Sequence, residues 1–297
     1  MTPLAAPFGR VLTAMVTPFT TEGALDLDRA ASLADSLVRQ GNDGLVVSGT
    51  TGESPTTSDG EKTDLLRAVV DAVGGRAHVL AGVGTFDTRH SVELARMAEK
   101  AGATGLLAVT PYYSKPPQAG IVAHVRAVAA ATALPVMLYD IPGRTGLALT
   151  HETLLELSGD QQVVAVKDAK DDLAATSRLL AEAPLAVYSG TDALNLPLLA
   201  VGAVGAVSVV SHLVTPALLE MFDAYAAGDT TRARAVHLRL QPVVTGVFRT
   251  QGVILTKAAL ALLGTPVGPV RLPLVEATES EIAVLTADLI AGGLALA

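Results

Sequence analysis

Eight short apolar runs recur about every 20–35 residues along this chain. They are LTAMVTPF (12–19), GLVVSG (44–49), HVLAGVG (78–84), GLLAVTP (105–111), PVMLYDIP (135–142), VVAVKDA (163–169), AVYSG (186–190) and GAVSVVSH (205–212). Most are hydrophobic at nearly every position rather than at alternate ones. That pattern fits strands covered on both faces, as in a parallel sheet. Segments of helical periodicity separate them, such as DLDRAASLADSLVRQG (26–41) and TRHSVELARMAEKAG (88–102), each with Gly near its end as a stop signal. Strands and helices alternating at this spacing are βα units.

Eight such units without a long linker or a composition break predict an α/β fold, a (β/α)8 TIM barrel. The barrel is expected within residues 1–225, its elements filling roughly 10–225. Residues 226–297 are expected as a C-terminal helical extension packed on it, one structural unit with the barrel. That extension contains TTRARAVHLRLQPVVTGVF, VILTKAALALLG and ESEIAVLTADLIAGGLALA. The runner-up fold, an open doubly wound sheet, would carry a Gly-rich dinucleotide turn after its first strand. None follows LTAMVTPF, and Gly82-Val83-Gly84 lacks the third glycine.

With 50% hydrophobic residues but only 3% aromatic ones and no Trp, aliphatic side chains and Ala must fill the core. The net charge of −8 and the lack of any Lys/Arg block argue against nucleic acid or an anionic membrane as a partner. The absence of Cys excludes disulfides, thiolate metal sites and a thiol nucleophile. Ala193–Leu219 contains no Asp, Glu, Lys or Arg, but its Pro, Gly, Asn and Ser residues read as a helix, a turn and a buried strand rather than a membrane span. The start, MTPLAAPFGR, lacks a signal-peptide pattern, so a cytoplasmic protein is expected.

In a barrel of this type the chemistry sits at the C-terminal strand ends. The polar residues expected there are SGTTGES (48–54), TPYY (110–113), YDIPGR (139–144), Lys167, SGTD (189–192), Ser208, Ser211 and His212. Of the six lysines, only Lys167 falls at a strand end. Val and Ala wall it, and such burial disfavours the charged form. A neutral amine is a nucleophile whose natural partner is a carbonyl, giving a Schiff base. The competing reading is a structural lysine paired with Asp168 or another carboxylate. Lys170 is expected to be a solvated loop charge.

Tyr112, Tyr113 and Tyr139 lie at the same rim, and a phenol can give and take the protons of imine chemistry. The G-T-T-G turn exposes N–H groups and hydroxyls suited to a carboxylate or phosphate. Arg144 offers a fork for a second carboxylate. The six His are scattered without ligand spacing, and no phosphate-loop motif occurs, so no metal is expected. The constellation favours carbonyl chemistry on a small anionic keto acid.

GTTGES (49–54), VTPYYSKPPQAGI (109–121), LYDIPGRTG (138–146) and VVAVKDA (163–169), in that order and spacing, resemble the dihydrodipicolinate synthase family. The resemblance spans essentially the whole chain. The resemblance implies condensation of pyruvate with L-aspartate 4-semialdehyde, without a cofactor, as the first committed step of lysine biosynthesis through diaminopimelate. Under it, Lys167 forms the imine and Tyr139 is the proton donor and acceptor. Thr50 and Tyr113 complete a proton relay, with Tyr113 supplied by the neighbouring subunit of a tight dimer within a homotetramer. Thr51 holds the pyruvate carboxylate, Val207 lies against pyruvate through its backbone, and Gly190 sits in the strand-seven turn. Arg144 receives the carboxylate of the second substrate. The positions matching a lysine-inhibition pocket include Ser54, Asp59, Phe86, His90 and Tyr112. His90 replaces an acid common in inhibited members, so weak or absent feedback is expected.

Two alternatives stay open. One is another pyruvate-dependent lyase of the superfamily, acting on N-acetylneuraminate or a 2-keto-3-deoxy sugar acid. Such lyases generally lack the arginine turn. The other is a non-catalytic, metabolite-binding barrel, which should have lost one of the reactive groups.

Overall fold

The computed structural model describes residues 5–297, so the first four residues of the N-terminal stretch read above lie outside it. Eight parallel strands close into a barrel in sequence order. They are β1 (Val11–Ala14), β2 (Gly44–Val47), β3 (His78–Gly82), β4 (Gly105–Val109), β5 (Val136–Asp140), β6 (Val163–Asp168), β7 (Ala186–Ser189) and β8 (Gly205–Ser208). Each coincides with one apolar run, and β8 pairs back onto β1. The runs outlast the strands. Met15, Val16 and Phe19 follow β1 and are buried, yet they lie in a loop rather than on the ladder.

The helices behave as their sequences dictate. Leu27–Arg39 and Thr88–Lys100 begin at capping aspartates, Asp26 and Asp87, whose side chains accept from Arg29 N and Arg89 N. Beyond their ends Gly41 (φ +103°) and Gly102 (φ +91°) take the left-handed conformation that only glycine adopts without strain. The charge-free segment Ala193–Leu219 splits into a short helix (Asn195–Val201), β8 and the start of the helix Ser211–Ala226. Among the described residues no helix is long and apolar enough to cross a membrane.

Three further helices follow the barrel: Thr230–Val247, Gly252–Leu262 and Glu279–Ala291. The barrel's lower end is plugged. Tyr188 is fully buried, its hydroxyl accepts the Phe8 N–H at 3.1 Å, and the Phe8 ring meets His78 edge-on. Free space is therefore left at the opposite end, where the strands finish.

Candidate active site

At that end an open cleft of about 920 Å³ is lined by Thr50, Thr51, Tyr139, Arg144, Lys167 and Gly190, among others. This is at the upper end of ligand pockets, roughly 300–1,000 Å³, and leaves room for two small acids together. Register builds its floor. Tyr139 on β5 stands opposite Lys167 on β6, so both side chains point to the barrel interior. The Lys167 Nζ lies 4.2 Å from the centroid of the Tyr139 ring. Both residues are 5% exposed. Among the described residues no carboxylate lies within ion-pair distance of Lys167.

The next residue on each strand points the other way. Asp140 and Asp168 are also in register and almost fully buried, outside the barrel. Lys170 joins them, its Nζ 3.3 Å from Asp140 Oδ2 and 3.8 Å from Asp168 Oδ2. This corrects two readings. Lys170 is not a solvated loop charge, and Asp168 is not a partner of Lys167. A loop lysine's direction is set by what the neighbouring strand presents, here a buried acid. Asp168 also accepts the Thr176 hydroxyl at 2.5 Å and the Lys170 N–H at 3.0 Å. Burial pushes the Asp140 carboxyl up to about 6, opposed by Lys170 and by the Leu149 N–H.

Local chemistry shapes the rim. The GTTGES turn is pinned where the Thr17 hydroxyl donates to Gly52 O at 2.6 Å. A Cβ on Gly52 would meet Ser48 N at 3.1 Å and Met15 O at 3.2 Å, closer than most Cβ contacts, so the turn is tightly packed there. In PGRTG, Pro142 opens the short helix Pro142–Thr145 and Gly146 (φ +71°) closes it. Thr145, buried, donates to Ile141 O and Leu147 O and fixes the turn. Arg144 thus projects, exposed, over the cleft. Gly190 lets its loop approach the lysine: a Cβ there would lie 3.0 Å from Lys167 Cγ.

Two expected residues stand apart. Val207 is a buried strand residue of β8, and the cleft is lined by Val209 instead. Tyr113 does not line the cleft; it is 91% exposed with φ +68°. Asp192 and His212, at the ends of strands seven and eight, hold backbone groups of the rim. Asp192 accepts the Val209 and Val210 N–H groups at 2.8 and 3.1 Å. His212 is held at about 4 by burial, its Nε2 accepting from Val16 N and its Nδ1–H donating to Val209 O. Among the described residues no three His, Asp or Glu side chains gather as metal ligands would.

Sequence reasoning missed the fourth wall. Gln241, Val244, Thr245, Phe248 and Arg249, from the first C-terminal helix and just beyond it, complete the cleft. Only the hydrophobic periodicity of that helix was visible in advance, and it says nothing of the surface it covers.

A barrel whose catalytic face holds one buried amine without a counter-ion, flanked by a phenol, hydroxyls and a free guanidinium, is equipped for covalent carbonyl chemistry. The chain belongs to the dihydrodipicolinate synthetase family, which residues 7–291 match. It is 63% identical to 4-hydroxy-tetrahydrodipicolinate synthase 2 of Streptomyces coelicolor over 98% of this chain and 97% of that one. It is 65% identical to the 4-hydroxy-tetrahydrodipicolinate synthase of Acidothermus cellulolyticus, covering 97% and 94% respectively. A crystal structure of the Cyanidioschyzon merolae enzyme with lysine bound superposes with a TM-score of 0.95 at 44% identity, covering 97% of this chain and 99% of that one.

Proposed function

We propose that the chain catalyses the 4-hydroxy-tetrahydrodipicolinate synthase reaction, with Lys167 as its Schiff-base nucleophile. The observation that carries this reading is a buried lysine, free of any carboxylate, against Tyr139 in a cleft rimmed by Thr50, Thr51 and Arg144. A related structure from Acinetobacter baumannii, 32% identical with a TM-score of 0.93, is described as complexed with pyruvate.

The Lys167 amine attacks the pyruvate ketone to give a carbinolamine, and water leaves as the imine forms. Tyr139 gives the proton that the departing oxygen needs. Loss of a methyl proton yields an enamine, the protonated imine nitrogen taking the electron pair. The enamine carbon attacks the aldehyde of L-aspartate 4-semialdehyde, whose carboxylate Arg144 receives. The amine of that substrate then displaces Lys167 by transimination, closing the ring and freeing the enzyme. Thr51 and its turn hold the pyruvate carboxylate throughout, and the backbone of Val207 lies against pyruvate. Thr50 links Tyr139 to Tyr113 of a neighbouring copy. The exposure of Tyr113 supports that exchange and, with it, a tight dimer within a homotetramer. The reading places the enzyme in the cytoplasm.

Feedback by lysine is expected to be weak, because His90 stands where inhibited members carry an acid, and its ring engages Asp59 at 3.0 Å. Mass spectrometry of the mixture with both substrates tests the reaction. The condensation product is expected. Cleavage of N-acetylneuraminate or a 2-keto-3-deoxy sugar acid, without condensation, would contradict it. Sedimentation tests the assembly: a tetramer is expected, and a monomer at full activity would overturn the shared Tyr113.

A further inference from the structure

Glu53, the last residue of GTTGE, has no part in the chemistry above. Yet it is 2% exposed and stands in the left-handed region at φ +54°. A carboxylate in a strained, buried position persists only where its surroundings hold it. Its partners come from the far end of the chain. Oε1 lies 2.7 Å from Lys257 Nζ, and Oε2 accepts the Arg271 N–H at 2.8 Å.

Lys257, 5% exposed in the helix Gly252–Leu262, also donates to Pro269 O at 2.6 Å and stands 4.4 Å from the Phe19 ring centroid. Burial disfavours its ammonium and Glu53 opposes that. The Arg271 guanidinium lies 4.1 Å over the same ring and donates to Gly23 O, Thr56 O and Glu61. The C-terminal extension thus grips the GTTGES loop at Glu53 and again beyond it.

The grip reaches the cleft through a short path. Glu53 N–H donates to Thr50 O at 3.2 Å, and Ser54 N–H to Gly49 O at 3.3 Å. Gly52, closely packed against the backbone of Ser48 and Met15, ties Glu53 to Thr51 through a tight turn. A displacement of Glu53 is therefore passed to the Thr50–Thr51 turn.

We propose that Glu53, Lys257 and Arg271 form a positioning brace by which the C-terminal extension sets the Thr50–Thr51 turn, and so the affinity for the keto-acid carboxylate, without touching substrate. This rests on the reading of that turn as the carboxylate holder.

The test uses the full chain as Glu53→Gln, Lys257→Met and the double variant. Each is assayed for KM of both substrates, kcat, and the pyruvate concentration giving half-maximal borohydride trapping. Each single variant is expected to raise the pyruvate KM and the half-trapping concentration about tenfold, because the surviving charge is left buried without its counter-charge. The KM for aspartate semialdehyde should stay within about twofold. The double variant, which leaves no buried charge unpaired, should be no worse than the poorer single one. Should a single variant not fold, the double variant still carries the comparison between the two substrates. Variants that fold with an unchanged pyruvate KM would overturn the brace. So would equal changes in both KM values that merely follow the melting temperature. A wild-type enzyme giving no pyruvate adduct would overturn the imine reading and the brace together, whereas a normal wild-type adduct with unaltered variants would overturn the brace alone.

Discussion

Lys167 and Lys170 lie three residues apart, both largely buried, and their surroundings differ in kind. Lys167 faces the barrel interior against an aromatic ring and no carboxylate. Lys170 turns outward between Asp140 and Asp168. Two carboxylates engage the Lys170 Nζ, so Lys170 is a cross-link. The Lys167 amine has no such partner among the described residues, and its Nζ faces the cleft. The alternation of β5 and β6 creates this division, because Tyr139 and Lys167 share one face while Asp140 and Asp168 share the other. One strand pair thus carries a lysine and a phenol facing the cleft inside and an ionic layer outside.

The sharpest way to break this comparison is Lys167→Ala. It should reduce kcat by about 10³-fold or more, since among the described residues no other lysine lines the cleft to form the imine. A steady-state assay showing more than a few per cent of wild-type turnover would contradict it. Tyr139→Phe should lower kcat by about 10²–10³-fold while the pyruvate adduct still forms, more slowly, in a trapping time course. Arg144→Ala should leave that adduct intact and raise the KM for aspartate semialdehyde about 10–100-fold, as the loss of a charge-assisted contact implies. Initial-rate kinetics with pyruvate held saturating measures this.

The outer layer should respond in stability rather than chemistry. Lys170→Met is expected to keep trapping at Lys167 but lower unfolding stability by about 2 kcal/mol in denaturant titrations. Asp140 adds a pH signature. Its folded value of about 6 stands above the ordinary 3.8. Its contribution to stability is therefore fully present below about pH 4 and is lost as pH rises through about 6, with a total of order 1–3 kcal/mol. Asp140→Asn should flatten that slope, read as melting temperature between pH 4 and 7. The smallest expected effect is that of free lysine: a submillimolar concentration that halves the rate would contradict the weak feedback read from Asp59 and His90.

Most of the barrel was legible because burial on both faces forces every strand residue to be apolar, a pattern visible without partners. The strand ends were less so. LTAMVTPF stays apolar beyond Ala14 because Met15 and Val16 are buried in a loop, which composition cannot distinguish from a ladder. Within the cleft, Lys167, Tyr139, Thr50, Thr51, Arg144 and Gly190 could be named because strand ends define a mouth. Lys170 could not be placed, because a loop side chain's direction depends on Asp140, on another strand. Nor could the grip on Glu53, whose partner Arg271 is 218 residues away. Contacts of that range leave no local pattern to read. Tyr113 belongs to a third kind: its expected role needs a second copy, and in a single chain it is simply an exposed ring.

The central claim, that one of two neighbouring lysines is the nucleophile because it alone lacks a carboxylate, is tested most directly by borohydride trapping. The enzyme is incubated with pyruvate, reduced, digested and mapped by mass spectrometry. One reduced pyruvate adduct per chain on Lys167 is the predicted result. No adduct, or an adduct on Lys170 or any other lysine, would contradict the account.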